Sequence, residues 1–210
     1  LNSDGSIETY TDSDTKAVRF GDGNTQLYGK QSNGSFVAVD SRNTLVKNSD
    51  NTYTLTTPDN VKYMYNTSGY LSSIVDRYGN AVSMTVDSNG KVTKITDKRG
   101  RIYNINYSNG KVSAITDVAS NRTVEYQYDS NGNLSAVVDS TGKITGYSYY
   151  TDSGRTNYLK QITDSYDVVV KEIDYYTNSN ESLKISSLVD EYGTKYSYSY
   201  NDNSNTTTIT

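Results

Sequence analysis

Residues 126–149 read YQYDSNGNLSAVVDSTGKITGYSY, and this stretch defines the unit from which the chain is built. It begins and ends with a Tyr-x-Tyr triplet and holds an Asp and a Gly in each of two intervening turns. Stepping back from Tyr149 in intervals of 21 residues reaches Tyr128, Tyr107, Val86 and Tyr65. A period held over five positions predicts a repeat protein, in which each unit contacts mainly its neighbours.

The composition favours strands and turns over helices. The 210 residues include 22 tyrosines and 15 glycines but only one proline. Tyr, Thr, Val and Ile suit β-strands, whereas Gly, Asn, Asp and Ser suit turns. No long run combines helical periodicity with good helix formers. We therefore expect an all-β fold, a repetitive antiparallel β-hairpin strip that is open and curved, with essentially no helix.

Charge and missing residue types exclude several function classes. The net charge is −4 with interspersed signs, so nucleic acid is a poor partner on electrostatic grounds. No apolar run approaches the ~18 residues of a membrane span. The chain has no cysteine and no histidine, which excludes disulfides, thiolate metal sites and a Ser-His-Asp triad. Because it begins at Leu1 rather than Met, we expect it to be a segment of a longer protein.

The repeat divides the chain into two regions. Residues 1–60 contain short strand-like runs between turn clusters, and we interpret them as irregular hairpins that cap one end of the array. Residues 61–210 contain about six repeats of 20–26 residues, continuous with the first region. The last two units are stretched by polar insertions, around 151–157 and 177–182, where loops tolerate extra residues.

Each repeat contains two tight turns whose residues have physical reasons to be there. In Asp-x-x-Gly, the Asp accepts hydrogen bonds from backbone N–H groups of the turn, and the Gly takes a positive φ. This pattern occurs at 76–79, 97–100, 139–142 and 190–193, and Asn-Gly meets the same left-handed need at 89–90, 109–110 and 131–132. Tight turns join antiparallel neighbours, so we expect about two strands per repeat in one long meander.

One feature of the strands does not fit simple alternation. The rings of a Tyr-x-Tyr triplet point to one face, because strand side chains alternate with period 2. Leu71 and Ile74, however, are three residues apart, and later repeats keep this spacing. Either a β-bulge lies between the two residues or both faces of the sheet are partly buried.

The pattern Y-D-x-x-G-x-L-x-x-V-x-D-x-x-G-x-x-x-x-Y-x-Y at 128–149 resembles the YD repeat of RHS proteins. The matching residues are Tyr128, Asp129, Gly132, Leu134, Val137, Asp139, Gly142, Tyr147 and Tyr149. Related matches cover residues 61 to 200, and residues 52–80 resemble the segment that leads into such arrays. The departures are a missing Gly at Ser120-Asn121 and a missing Asp-x-x-Gly at 164–167.

The family includes bacterial polymorphic and wall-associated toxins, shell subunits of insecticidal toxin complexes, and teneurins. The resemblance implies a β-hairpin strip that spirals into a hollow shell, which in the toxins holds a C-terminal effector. It implies an extracellular or bacterial cell-surface location. Its expected partners are the flanking repeats and a tethered effector polypeptide, and exposed strand edges suggest self-association. The alternative is an adhesion module that binds carbohydrate or cell-wall glycan through an exposed tyrosine face.

The sequence predicts no enzyme, no catalytic residue, no cofactor and no metal ligand. Aspartates recur at one turn position, which indicates turn capping, whereas a catalytic pair is normally singular. Those aspartates are Asp76, Asp97, Asp117, Asp139, Asp164 and Asp190. The clusters Asp12-Ser13-Asp14 and Asp22-Gly23-Asn24 are the candidates left for calcium.

Overall fold

The computed structural model describes residues 7–8, 15–38, 41–177 and 184–210. These residues form twenty β-strands and no helix. The strands are Ile7–Glu8 (β1), Thr15–Arg19 (β2), Thr25–Lys30 (β3), Ser35–Ala38 (β4), Thr44–Lys47 (β5), Tyr53–Thr56 (β6), Lys62–Tyr65 (β7), Leu71–Val75 (β8), Ala81–Val86 (β9), Val92–Thr96 (β10), Ile102–Ser108 (β11), Lys111–Asp117 (β12), Arg122–Tyr128 (β13), Leu134–Val138 (β14), Ile144–Tyr149 (β15), Leu159–Thr163 (β16), Val169–Tyr175 (β17), Ile185–Val189 (β18), Lys195–Asn201 (β19) and Thr206–Ile209 (β20).

The chain divides into two compact units. The first contains Leu1–Asn106 and Thr116–Asn121, and the second contains Tyr107–Ile115 and Arg122–Thr210. In the first unit each strand from β1 to β11 pairs antiparallel with the next. In the second unit the same holds from β13 to β20. The predicted all-β antiparallel hairpin strip is confirmed.

A β-bulge in each repeat resolves the spacing of the apolar residues. Met64 lies opposite Ser73, but Tyr65 lies opposite Leu71, so Ser72 is an extra residue in β8. The Ser72 hydroxyl donates to the Met64 carbonyl at 3.0 Å. The extra residue of a bulge interrupts the alternation of side chains along the strand, so that two residues three positions apart lie on the same face. The equivalent extra residues of later repeats are Thr93, Ser135, Lys160 and Ser186.

The turns repeat one hydrogen-bonded geometry. The Gly79 N–H donates to the Asp76 carbonyl at 3.0 Å, and Gly79 has a φ of 84°. The Asp76 carboxylate accepts the backbone N–H groups of Tyr78 and Asn80, both at 2.9 Å. The predicted turn capping is therefore confirmed. The same two bonds to residues two and four positions later are made by Asp87, Asp97, Asp129, Asp139, Asp164 and Asp190.

The two departures from the repeat pattern keep the left-handed residue that the turn requires. Asp167 replaces glycine with a φ of 59°, and its N–H donates to the Asp164 carbonyl at 3.1 Å. In the turn after Asp117 the positive φ moves to Asn121, at 53°. Asn and Asp tolerate this conformation better than other non-glycine residues. The turn at 164–167 therefore has the geometry of its neighbours despite its altered sequence.

The buried core lies in the first unit, on one face of the sheet. Tyr28, Leu45 and Leu55 are 0% exposed, and the pairing Leu45↔Leu55 places those two leucines side by side. Tyr65 joins them in the same cluster. Burial, followed by the proximity of Tyr28 and Tyr63, raises the pKa of Tyr65. On a flat sheet Tyr28 in β3 and Tyr65 in β7 would lie roughly 19 Å apart. The sheet must therefore curl here, with its aromatic face inside.

We predict that the turn glycines are required for their backbone conformation. Gly142 has a φ of 84° and open space around the position of a Cβ, so Gly142→Ala introduces backbone strain without a clash. We expect a loss of about 1 kcal/mol in the free energy of unfolding, measured by urea denaturation. Gly142→Asn is the control and should cost much less, because Asn51 and Asn60 occupy this conformation in their own turns. Equal losses in the two variants would contradict the prediction.

We also predict that stability decreases in acid. Hydrogen bonds from the Thr141 hydroxyl, then from the backbone N–H groups of Thr141 and Lys143, lower the pKa of Asp139 below 3.8. Such a carboxylate stabilises the fold above its unfolded pKa, and the contribution is lost as the pH falls through the folded pKa. The thermal unfolding midpoint should therefore drop as the pH falls below about 4.

Asp139→Asn is the matched variant for the acid prediction, because an amide oxygen accepts the same backbone bonds without titrating. Asn66 already does so in its own turn, at 3.0 Å from the Ser68 N and 2.9 Å from the Tyr70 N. The variant should stay folded at neutral pH and show a shallower fall in midpoint. A wild-type midpoint that is constant from about pH 5 to pH 2 would exclude this role for the turn carboxylates.

Candidate functional site

The second unit presents one face rich in tyrosine and a second face of mostly small or polar residues. The pairings Tyr126↔Val137 and Tyr147↔Ile162 bring rings and aliphatic side chains together on what we call the aromatic face. The predicted placement of both rings of a Tyr-x-Tyr triplet on one face is confirmed. The aromatic face of the second unit includes Tyr126, Tyr128, Leu134, Val137, Tyr147, Tyr149, Leu159, Ile162, Ile173, Tyr175, Ile185, Leu188, Tyr196, Tyr198 and Tyr200, and the pairings also place Thr145, Lys171, Thr207 and Ile209 on it.

This aromatic face is only half covered. Tyr128 and Tyr196 are 36% and 38% exposed, whereas Tyr65 in the first unit is 3% exposed. Gly146, Ser148 and Gln161 occupy the opposite face of the same strands. Within the described part of the second unit, no residue of the aromatic face is as deeply buried as Tyr65.

Tyrosine hydroxyl groups bind the backbone of the preceding strands at equivalent places. The Tyr149 hydroxyl donates to the Leu134 carbonyl, and the Tyr128 hydroxyl donates to the Val112 carbonyl, both at 2.8 Å. Leu134 immediately precedes the bulge and lies beyond the Ala136↔Gly146 pair at the end of its ladder with β15. The hydroxyl thus supplies a donor to a carbonyl that the ladder leaves out, which an unpaired strand group requires. A phenylalanine in this position would not do so.

The first insertion is a fixed structure built on Arg155. The Arg155 guanidinium lies 3.9 Å from the centre of the Tyr150 ring. It also bonds Asp174 at 2.6 Å and Asp152 at 2.5 Å. Hydrogen bonding to Arg155, followed by its charge, lowers the pKa of Asp152. The contacts with Tyr150 and Asp152 therefore hold the insertion locally, and the ion pair with Asp174 joins it to β17 of the neighbouring hairpin.

Three tyrosines that the sequence analysis did not single out are strongly exposed at turns. Tyr78, Tyr166 and Tyr192 are 74%, 81% and 85% exposed, and each lies two residues after a capping aspartate. Tyr166 and Tyr192 occupy alternate turns of the second unit's meander, and alternate turns lie at the same edge. The signal that would have found them is the residue type at the third turn position. The turn itself does not require an aromatic residue there, because Thr141 occupies it in another repeat.

The candidate calcium ligands receive no support from geometry. Both Asp22 carboxylate oxygens accept hydrogen bonds from Asn24, at 2.9 Å from its backbone N and 2.7 Å from its side-chain amide. The cluster Asp12-Ser13-Asp14 lies outside the described residues. Among the residues that are described, no group of three or more acidic side chains is placed to hold a metal ion. The prediction that the chain has no metal site stays untested.

No helix in the described part of the chain is long and apolar enough to cross a membrane.

The comparisons with known proteins identify the repeat. The family model described as RHS Repeat matches residues 107–144. No curated protein matches the chain. Among solved structures, the chain is similar to TcdB2-TccC3-Cdc42, with 12% identity, a TM-score of 0.47, and coverage of 90% of this chain and 12% of that one.

Two further solved structures show the same degree of similarity. TcdB2-TccC3 without its hypervariable C-terminal region has 12% identity, a TM-score of 0.49, and coverage of 89% and 12% of the two chains. A Tc holotoxin pore of Photorhabdus luminescens with a mutated TccC3 has 12% identity, a TM-score of 0.46, and the same coverage. The chain spans about an eighth of the length of these proteins.

The matched residues contain the Tyr-x-Tyr triplets, capping aspartates and bulged strands described above, and the same elements recur on both sides of them. The resemblance stated from the sequence is confirmed: residues 107–144 of this chain carry the RHS repeat.

Proposed function

We propose that this chain is a non-enzymatic segment of a β-repeat wall in a large exported protein, and that the wall shields a tethered C-terminal polypeptide. The observation that carries the proposal is the half-covered aromatic face of the second unit. A contiguous apolar face of this kind is unusual on a soluble protein and marks a surface that contacts another polypeptide. A wall with an enclosed segment places such a face inside.

The first unit supports a curved wall in preference to a flat platform. There the aromatic face closes on itself until Tyr28 and Leu45 are fully buried. Residues 1–60 contribute most of this core, which suits a cap at one end of an array, as terminal repeats with their own packing provide.

The turn aspartates support a structural role over a catalytic one. Each carboxylate in the repeated turn accepts two backbone N–H groups of its own turn, as Asp190 does from Tyr192 and Thr194. A general acid or base needs a group free to exchange a proton with a substrate. With no histidine or cysteine in the chain, other side chains would have to carry the chemistry.

Export and an effector cargo rest on the RHS resemblance alone. In the toxins of that family the repeats form a shell around an effector, and we extend this arrangement to the present chain. The partners proposed are the flanking repeats and the tethered polypeptide.

Chemical modification of tyrosine tests the wall. Nitration should modify Tyr128 and Tyr196 in the isolated chain, since each is more than a third exposed. In the longer protein that contains this segment, we expect nitration of these two residues to fall at least tenfold. Tyr166 and Tyr192 are the internal controls, and they should react equally in both proteins.

Peptide mass spectrometry of the nitrated proteins gives the extent at each residue. If Tyr128 and Tyr196 react equally fast in the isolated segment and in the longer protein, the aromatic face is not enclosed and the proposal fails. Protection of Tyr166 and Tyr192 along with the face would point instead to a partner at the turn edge.

A second candidate function is glycan binding at that turn edge. The observation in its favour is the exposure of Tyr166 and Tyr192, whose rings serve no turn geometry. Aromatic rings stack on the apolar faces of sugars, and two strands at ~4.8 Å each separate alternate turns by roughly 10 Å.

Pull-down with insoluble peptidoglycan tests this candidate. The double variant Tyr166→Ala/Tyr192→Ala should lower the bound fraction at least fivefold if the edge binds glycan. Thr141→Ala, at the equivalent position of another turn, is the matched control and should bind as wild type does. Equal retention of all three proteins, or no retention of any, would rule out glycan binding at this edge.

A further inference from the structure

The tyrosine pairs beside the two insertions are close enough to ask whether they can react with one another. Tyr158 and Tyr175 have ring centres 5.2 Å apart with an interplanar angle of 64°. The pairs Tyr150–Tyr175 and Tyr176–Tyr200 are wider, at 6.2 Å and 6.3 Å.

The fold brings Tyr158 and Tyr175 together across two adjacent strands. Gln161 in β16 pairs with Glu172 in β17. Tyr158 immediately precedes β16 and Tyr175 is the last residue of β17, so the two residues lie at the same end of this strand pair. Their ring centres are already 5.2 Å apart, so the rings meet without a change in backbone.

The phenol groups of this pair interact electrostatically, and both remain accessible to small reagents. Both residues are half-buried rather than enclosed. Burial, followed by the proximity of Tyr158, raises the pKa of Tyr175. The third ring of the group, Tyr150, is held elsewhere: its hydroxyl donates to the Ile173 carbonyl at 3.1 Å, and Arg155 covers its face.

The composition directs one-electron oxidation to tyrosine. The chain has 22 tyrosines, no cysteine, no tryptophan and two methionines. Thiols and indoles are the side chains that ordinarily compete with phenols for a one-electron oxidant. An oxidising equivalent that reaches this chain therefore ends on a phenol, and two neighbouring phenoxyl radicals combine.

We propose that Tyr158 and Tyr175 form a site of oxidative cross-linking, at which a peroxidase with hydrogen peroxide, or a comparable one-electron oxidant, produces dityrosine. Each phenol loses one electron and its hydroxyl proton. The two radicals join through one Cε carbon of each ring, and the two hydrogens displaced from those carbons return to the phenol oxygens through solvent. The product has two hydrogens fewer than the two tyrosines, and the two electrons and two protons reduce one hydrogen peroxide to two waters.

The dityrosine link would be a covalent cross-link within a chain that has no cysteine and therefore no disulfide. It joins the insertion to the next hairpin and closes the segment between residues 158 and 175, which constrains the unfolded chain. Cross-linking at this site is independent of whether the repeats enclose a polypeptide.

Photo-oxidation with ruthenium tris-bipyridine and persulfate tests the site, followed by trypsin digestion of the monomeric fraction. Cleavage after Arg155, Lys160, Lys171 and Lys184 puts Tyr158 in peptide 156–160 and Tyr175 in peptide 172–184. We expect these two peptides to appear joined, with a mass two hydrogens below their sum, and the oxidised monomer to unfold at a higher temperature. Oxidation in strong urea should yield at least tenfold less of the pair, because the proximity is a property of the fold.

Tyrosine-to-phenylalanine variants assign the link, because phenylalanine keeps the ring and cannot form a phenoxyl radical. Tyr158→Phe and Tyr175→Phe should each abolish the joined peptides. Tyr176→Phe and Tyr166→Phe are the controls and should leave the yield unchanged. The proposal is overturned if the pair survives Tyr175→Phe, if the pair is absent from wild-type monomer, or if peptide 161–171 with the exposed Tyr166 is joined as often.

Discussion

The extra residue in β8, β10, β14, β16 and β18 is the constraint on which the aromatic face depends. Without Ser72, Leu71 and Ile74 would lie on opposite faces of β8, and later repeats would divide in the same way. With the bulge, both join Tyr63 and Tyr65, since Ile74 lies opposite Tyr63 and Leu71 opposite Tyr65. A single-layer sheet has no other means of collecting its apolar side chains on one face when their spacing is three. One inserted residue in each of these five strands therefore places their apolar side chains on one face.

The bulge leaves backbone groups outside the regular ladder of hydrogen bonds. In the second unit, tyrosine hydroxyl groups donate hydrogen bonds to such groups. The Tyr149 hydroxyl reaches the Leu134 carbonyl just before the bulged Ser135. The same residue type thus fills the aromatic face and bonds the irregular backbone beneath it. In the first unit the Ser72 and Thr93 hydroxyls donate to carbonyls across the bulge, at 3.0 Å and 3.3 Å. Side-chain hydroxyl groups therefore support the irregular point of the repeat in both units.

Local features of this fold could be predicted from sequence, and features that depend on pairing could not. The turns were predictable because Asp76 and Gly79 act within five residues of one another. The sequence leaves two alternatives for the bulge, because register belongs to two strands and no single strand specifies it. The sequence shows the Arg155 segment only as an insertion, since its contact with Asp174 joins residues 19 apart in sequence. The exposed ring of Tyr192 is hard to predict for a different reason: a half-buried strand tyrosine and an exposed turn tyrosine look alike by composition.

The excess of tyrosine over phenylalanine fits a sheet whose aromatic rings are mostly only partly covered. The chain has 22 tyrosines and 2 phenylalanines, and both phenylalanines, Phe20 and Phe36, belong to the packed core of the first unit. That core also holds Tyr28 and Tyr65, and the Tyr28 hydroxyl donates to the Gln26 side chain. In the second unit the tyrosines of the aromatic face are half-buried or exposed, so a phenol that is apolar in its body and polar at its tip suits them. In the described part of the second unit, the preference for tyrosine therefore follows from a face whose rings stay partly exposed.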